Sequence, residues 1–152
     1  MFDSTDRSLI LPAYGPISTA RKILRYEAVG LQPIVNTEPT APNGFQLVAL
    51  LANQSTVPLA FPIGVLMEEI PVTTLIAAGE RRPYYNFTFF GPARVRLAAG
   101  TGPVSVGRYV KAWNLGECSV AAPGELSLGR ALSNGAAGDL IDIFISPSLA
   151  LY

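Results

Sequence analysis

From Tyr84 onward the chain is a succession of short apolar runs, each ended by residues that turn a backbone. The runs are Tyr84 to Phe90, Ala93 to Leu97, Val104 to Trp113, Glu117 to Ala121, Glu125 to Leu132 and Leu140 to Ile145. Gly91-Pro92, Asn114-Leu115-Gly116, Pro123-Gly124 and Asn134-Gly135 separate them, and Gly91-Pro92 reads as a tight connection. Several runs alternate. Ile141, Ile143 and Ile145 would face a core with Asp142 in water; Tyr85, Phe87 and Phe89 share one face; Ala93, Val95 and Leu97 alternate with Arg94 and Arg96. Strands at this spacing predict a mainly β protein, a small antiparallel β-barrel or sandwich.

The length of 152 residues suits one domain with a sizeable core, and no linker or convincing repeat divides it. Gly 14 and Pro 13 exceed average usage without reaching low complexity, which agrees with many turns. Charged residues are scarce at 14%, and eleven basic residues balance eleven acidic ones. No positive field steers the chain to nucleic acid or anionic lipid. There is no histidine, which removes the usual general base and every His-bearing metal site. Cys118 is the single cysteine, so an internal disulfide, a CxxC pair and a cysteine zinc site are excluded and a free thiol is expected. Asp3, Asp6 and Arg7 interrupt the N-terminus where a secretory signal would be apolar, which points to synthesis in a cytoplasm.

The first half is harder to read. Residues 1–16 mix a polar start with Leu9-Ile10-Leu11, Pro12, Gly15 and Pro16, fitting neither a packed helix nor a central strand, and read as an extended N-terminal arm. Residues 17–152 then form a single β-rich domain. Between Ile17 and Val29 the apolar spacing permits a helix or a strand. Pro39, Pro42 and Asn43-Gly44 form a turn cluster ahead of Phe45 to Ala52, a short run suited to a strand buried on both faces. Val57 to Met67 carries Pro58, Pro62 and Gly64 and should be an edge strand, a bulged strand or a packed loop rather than a central strand. No charge falls between Pro39 and Met67, yet prolines and polar side chains there rule out a membrane-spanning helix; burial in the core or against another subunit remain the two readings.

Few residues look chemical. Glu68 and Glu69 are neighbours that a strand would point to opposite faces, so a solvated edge is expected rather than a catalytic pair. Asp139 and Asp142 lack the surrounding oxygen ligands of a calcium loop. Ala99-Gly100-Thr101-Gly102-Pro103 lacks the Lys-Ser/Thr of a phosphate loop and reads as a turn. Asn53-Gln54-Ser55 and Asn86-Phe87-Thr88 match a glycosylation sequon that means little without secretion. Arg81, Arg82, Arg94, Arg96 and Arg108 beside Tyr84 and Tyr85 allow a single-strand nucleic-acid strip, with solvent-facing arginines the plainer reading. No catalytic, cofactor or metal site is expected.

Gly107-Arg-Tyr-Val-Lys-Ala-Trp113, Leu128-Gly-Arg-Ala-Leu132 and Ala137-Gly-Asp-Leu-Ile-Asp-Ile-Phe-Ile145 in that order resemble the small head decoration, or capsid cement, proteins of tailed phages. The resemblance spans roughly Pro103 to Ser146. In physical terms Gly129 allows a bulge or a close backbone approach, and Gly138 and Asp139 turn the chain into its last strand. The resemblance implies a β-rich homotrimer on the outer surface of the virion, at threefold positions, that stabilises the head by binding the major capsid protein, with no enzymatic activity and no nucleic-acid or membrane partner. Leu9, Ile10, Leu11 and Tyr14 of the arm are the expected coat-protein contacts. The alternative is a small β-sandwich ligand- or carbohydrate-binding module of a tail fibre or adhesin, with Tyr84, Tyr85 or Trp113 stacking on a sugar.

Overall fold

A computed structural model describes residues 9–15, 19–33, 45–49, 61–72 and 84–152. The alternating runs become strands: β1 Leu9–Tyr14, β2 Ala28–Pro33, β3 Phe45–Ala49, β4 Phe61–Leu66, β5 Tyr84–Arg96, β6 Tyr109–Ala112, β7 Cys118–Val120, β8 Leu126–Ala131 and β9 Leu140–Leu149. A 3-10 turn, Asn114–Gly116, joins β6 to β7. The fold is mainly β and barrel-shaped, with neighbours in the order β1-β3-β2-β4-β5-β9-β8-β6-β7.

β5 organises the molecule. Its first half pairs with β1 and β4, while Gly91 to Arg96 pairs with β9. Because β1 also meets β3 at Tyr14↔Gln46, strands β1 to β5 close into one ring. The second half of β5 starts another, through β9, β8, β6 and β7, nearly closed by a parallel bridge between Leu97 and Cys118. Gly91-Pro92 therefore does not connect two strands as expected. It bends one strand where it changes partners, with Gly91 at φ +100°. A strand that switches sheets needs such a bend.

The segment expected at an edge or in a loop is also paired more fully than its prolines suggested. β4 lies between β2 and β5, and so is central at its C-terminal end. Pro62 is tolerated because it pairs with β2 alone, whereas β5 is met only at Val65 and Leu66. A register shift against Val29 and Gly30 supplies the bulge that was one of the expected forms. β1, similarly, is a strand of the first ring, although its contact with β3 is confined to Tyr14, so Pro12 needs no partner on that side. Residues 1–8, 16–18 and 50–60 lie outside the described residues, as do parts of the arm and of the uncharged segment.

Two clusters form the interior. One, inside the first ring, contains Ala13, Ile23, Val29, Leu66, Ile70 and Phe87. The other joins Val95, Leu97, Val110, Cys118, Leu128, Ile141, Ile143 and Ile145 to Ala28 and Val65. Successive residues on a strand point to opposite faces, so Ala28 and Val29 serve different clusters, as do Val65 and Leu66. Strands β2 and β4 thus stand as the wall between the two cores. A buried carboxylate crosses that wall: Glu27 is gripped by Arg21 at 2.9 and 3.1 Å, and Arg21 Nη2 also donates to the Leu115 carbonyl at 3.2 Å. Gly116, at φ +78°, lets the 3-10 turn approach, since a Cβ there would lie 2.7 Å from that of Glu27.

Candidate functional site

β1 presents its apolar residues to solvent rather than to the core. Leu9, Ile10 and Leu11 are exposed, Leu9 at 53%, while Ala13 alone of this strand is buried. Tyr14 is half-buried and stacks on Tyr84, with ring centroids 4.3 Å apart, and accepts a hydrogen bond from the Tyr84 hydroxyl at 2.6 Å. The ladder to β5 puts Leu9 opposite Phe90. An open groove of about 440 Å³ runs between them, lined by Leu9, Ile63, Phe89, Phe90, Ser146 and Pro147. Phe90 is held in place edge-on by Phe144 at 5.2 Å.

Of the four expected contact residues, then, the structure gathers Leu9, Ile10 and Leu11 on one exposed strand and places Tyr14 at its far end in an aromatic pair. Phe90, Ile63 and Pro147 join this surface from three other strands, which the arm's own composition could not show. Strand alternation hinted at Phe90, since it lies on the face opposite Phe87 and Phe89. None of the groove-lining residues is ionisable, so the groove offers apolar contact without charge.

The other residues singled out in the sequence are engaged structurally. Gly129 is buried beside a register shift, and a Cβ there would lie 2.1 Å from the Phe144 carbonyl oxygen. Gly138 adopts φ +83°, and Asp139 Oδ2 accepts the Ala136 N–H at 2.8 Å. Glu68 accepts the Asn86 N–H at 2.9 Å, and Glu69 pairs with Lys22 at 3.1 Å, so the two carboxylates have separate partners. Burial and, secondarily, the Glu68 charge raise the pKa of Tyr85. Arg94 pairs with Asp142 at 3.0 Å, and Arg96 donates to the Gly138 carbonyl at 3.0 Å. Asn86 is exposed on β5, whereas Asn53, Arg81 and Arg82 lie outside the described residues. Cys118 is a buried free thiol whose pKa is pushed up to about 12, first by desolvation and then by Glu117. Among the described residues no group of His, Cys, Asp or Glu side chains is arranged to hold a metal ion.

No family model and no curated protein matches the sequence. The fold, however, is similar to a solved structure described as the crystal structure of head fiber gp8.5 N base in bacteriophage phi29, with a TM-score of 0.58 at 14% identity, over 95% of this chain and 98% of that one.

Proposed function

We propose that this chain is a structural protein of a phage head, a decoration or cement protein that binds the outer surface of the assembled shell and stabilises it. One observation carries the reading: the likeness to the base of a phage head fibre extends over nearly the whole of both chains, so the common architecture is the entire domain and not a shared motif. The apolar strand β1 and its groove supply a surface of the kind that docks on another protein. In this reading the partner is the major capsid protein, the protein acts as a homotrimer at threefold positions, and it performs no catalysis.

The energetics fit a cement. Burying exposed Leu9 and Leu11 contributes about 1.5–3 kcal/mol each if fully desolvated, and three copies of the surface on one trimer act at high effective concentration. A protein that binds assembled shell but not free subunits stabilises the shell by mass action. The test is cosedimentation of the purified protein with shells of the coat protein encoded in the same genome. Saturable occupancy that Leu9→Asp and Leu11→Asp reduce supports the proposal, and shells that remain bare refute it.

A further inference from the structure

On the far side of the second ring, the loop 99–102 faces strand β7 across an open groove of about 420 Å³, lined by Ala99, Gly100, Thr101, Gly102, Trp113, Ser119 and Val120. We infer that this groove is a binding site for a neutral saccharide. Three features of the lining point to that class. Trp113 is 39% exposed, an indole face large enough to take the C–H face of a sugar ring. Thr101 and Ser119 bring hydroxyls; among the described residues no side-chain hydrogen bond occupies that of Thr101, and Ser119 Oγ makes a long contact to the Val120 carbonyl at 3.4 Å. Beyond the bridge between Leu97 and Cys118, the outer edge of β7 at Val120 has no strand beside it among the described residues, leaving the Val120 N–H and C=O for ring hydroxyls.

The lining favours a neutral ligand. Among the described residues no ionisable side chain lines the groove, and Lys111, 4.8 Å from the Trp113 ring centre, has its ammonium held by both Glu125 oxygens at 2.7 Å. That ion pair neutralises Lys111 and holds it over one face of the indole. Trp113 thus has a fixed cation for a neighbour and a groove lined by small and hydroxylic residues.

The chain contains one tryptophan, so its fluorescence reports this groove alone. Lactose, maltotriose and chitotriose, each titrated to about 10 mM, are the probes, with glycerol as a polyol that cannot stack and sialyllactose as the charged comparison. The expected result is a saturable emission change with at least one neutral sugar and none with glycerol. Thr101→Ala removes a hydroxyl and should weaken that sugar about two- to tenfold. Gly102→Leu is the blocking variant: Gly102 lines the groove and a Cβ there meets nothing within 4 Å, so the position accepts a bulky side chain without disturbing the fold, as an unchanged melting temperature verifies. It should abolish the response. A flat emission with every neutral sugar, tighter binding of sialyllactose than of lactose, or undiminished binding by Gly102→Leu would overturn the inference.

Discussion

Gly129 and Gly64 each make room for a carbonyl of the adjoining strand. A Cβ would come within 2.1 Å of the Phe144 oxygen at the first and 2.2 Å of the Thr88 oxygen at the second, both backbone atoms that cannot swing aside. Gly129→Ala should therefore cost more than about 3 kcal/mol in a denaturant melt, whereas Gly102→Ala, in open space, should leave the midpoint unchanged. Cys118 is governed chiefly by burial, with the Glu117 charge adding to it. Its folded pKa of about 12 exceeds the ordinary 9.0, so folding favours the neutral thiol. That contribution is complete below pH 9 and is lost as pH rises from 9 to about 12, because only the unfolded chain ionises there. Native protein should be silent to a thiol reagent at pH 8 until unfolded, and Cys118→Ala should have a shallower alkaline loss of stability. Glu125 runs in the opposite direction. Hydrogen bonds from Lys111, then from the Ala122 N–H, hold its carboxyl below the usual range, so the stability it contributes is present above that range and lost as pH falls through the lowered value. Acid titration of Glu125→Gln should show a smaller loss than the parent.

Among the elements, β1 changes most between sequence and structure. Leu9 to Tyr14 reads as an arm for a partner, yet the same residues pair with β5 from Leu9↔Phe90 to Tyr14↔Tyr84 and bury Ala13. Main-chain pairing and side-chain docking use different directions of one strand: the backbone bonds lie in the sheet, and the exposed leucines stand out from it. A coat contact through Leu9, Ile10 and Leu11 therefore requires no free arm. Deleting residues 1–14 should lower the melting temperature by about 10 °C or more, while Leu9→Asp, which keeps the ladder, should leave the melt nearly unchanged and act only on shell binding. Comparing the two variants separates the strand's structural part from its surface.

At the scale of the whole molecule, the two rings are held together by shared strands and by the Arg21–Glu27 pair that reaches the Leu115 carbonyl. Glu27 is nearly buried, so removing its partner strands a carboxylate at the seam. Arg21→Ala should cost about 1–3 kcal/mol, and Arg21→Ala with Glu27→Gln should recover part of that loss in chemical denaturation. If the proposed trimer forms in solution, light scattering at micromolar concentration reports three times the 16.1 kDa chain mass; a monomer on the shell as well as in solution would refute it.

Local pattern carried much of the fold. Ile141, Ile143 and Ile145 alternate with Asp142, and turn residues close each later run, so β9 and the succession of strands before it are legible because period-2 burial and turn chemistry act within a few residues. Partner choice is not local. That β5 runs unbroken through Gly91-Pro92, that β4 accepts neighbours on both sides despite Pro62, and that Leu9 meets Phe90 depend on which strand lies alongside, and a pattern of buried and exposed positions is the same for any partner of matching face. For the same reason the apolar surface around Leu9 is assembled from residues distant in the chain, and the groove beside Trp113 from a loop and strands that only the sheet brings face to face. Their members are ordinary one by one, and only the folding of the rings brings them together.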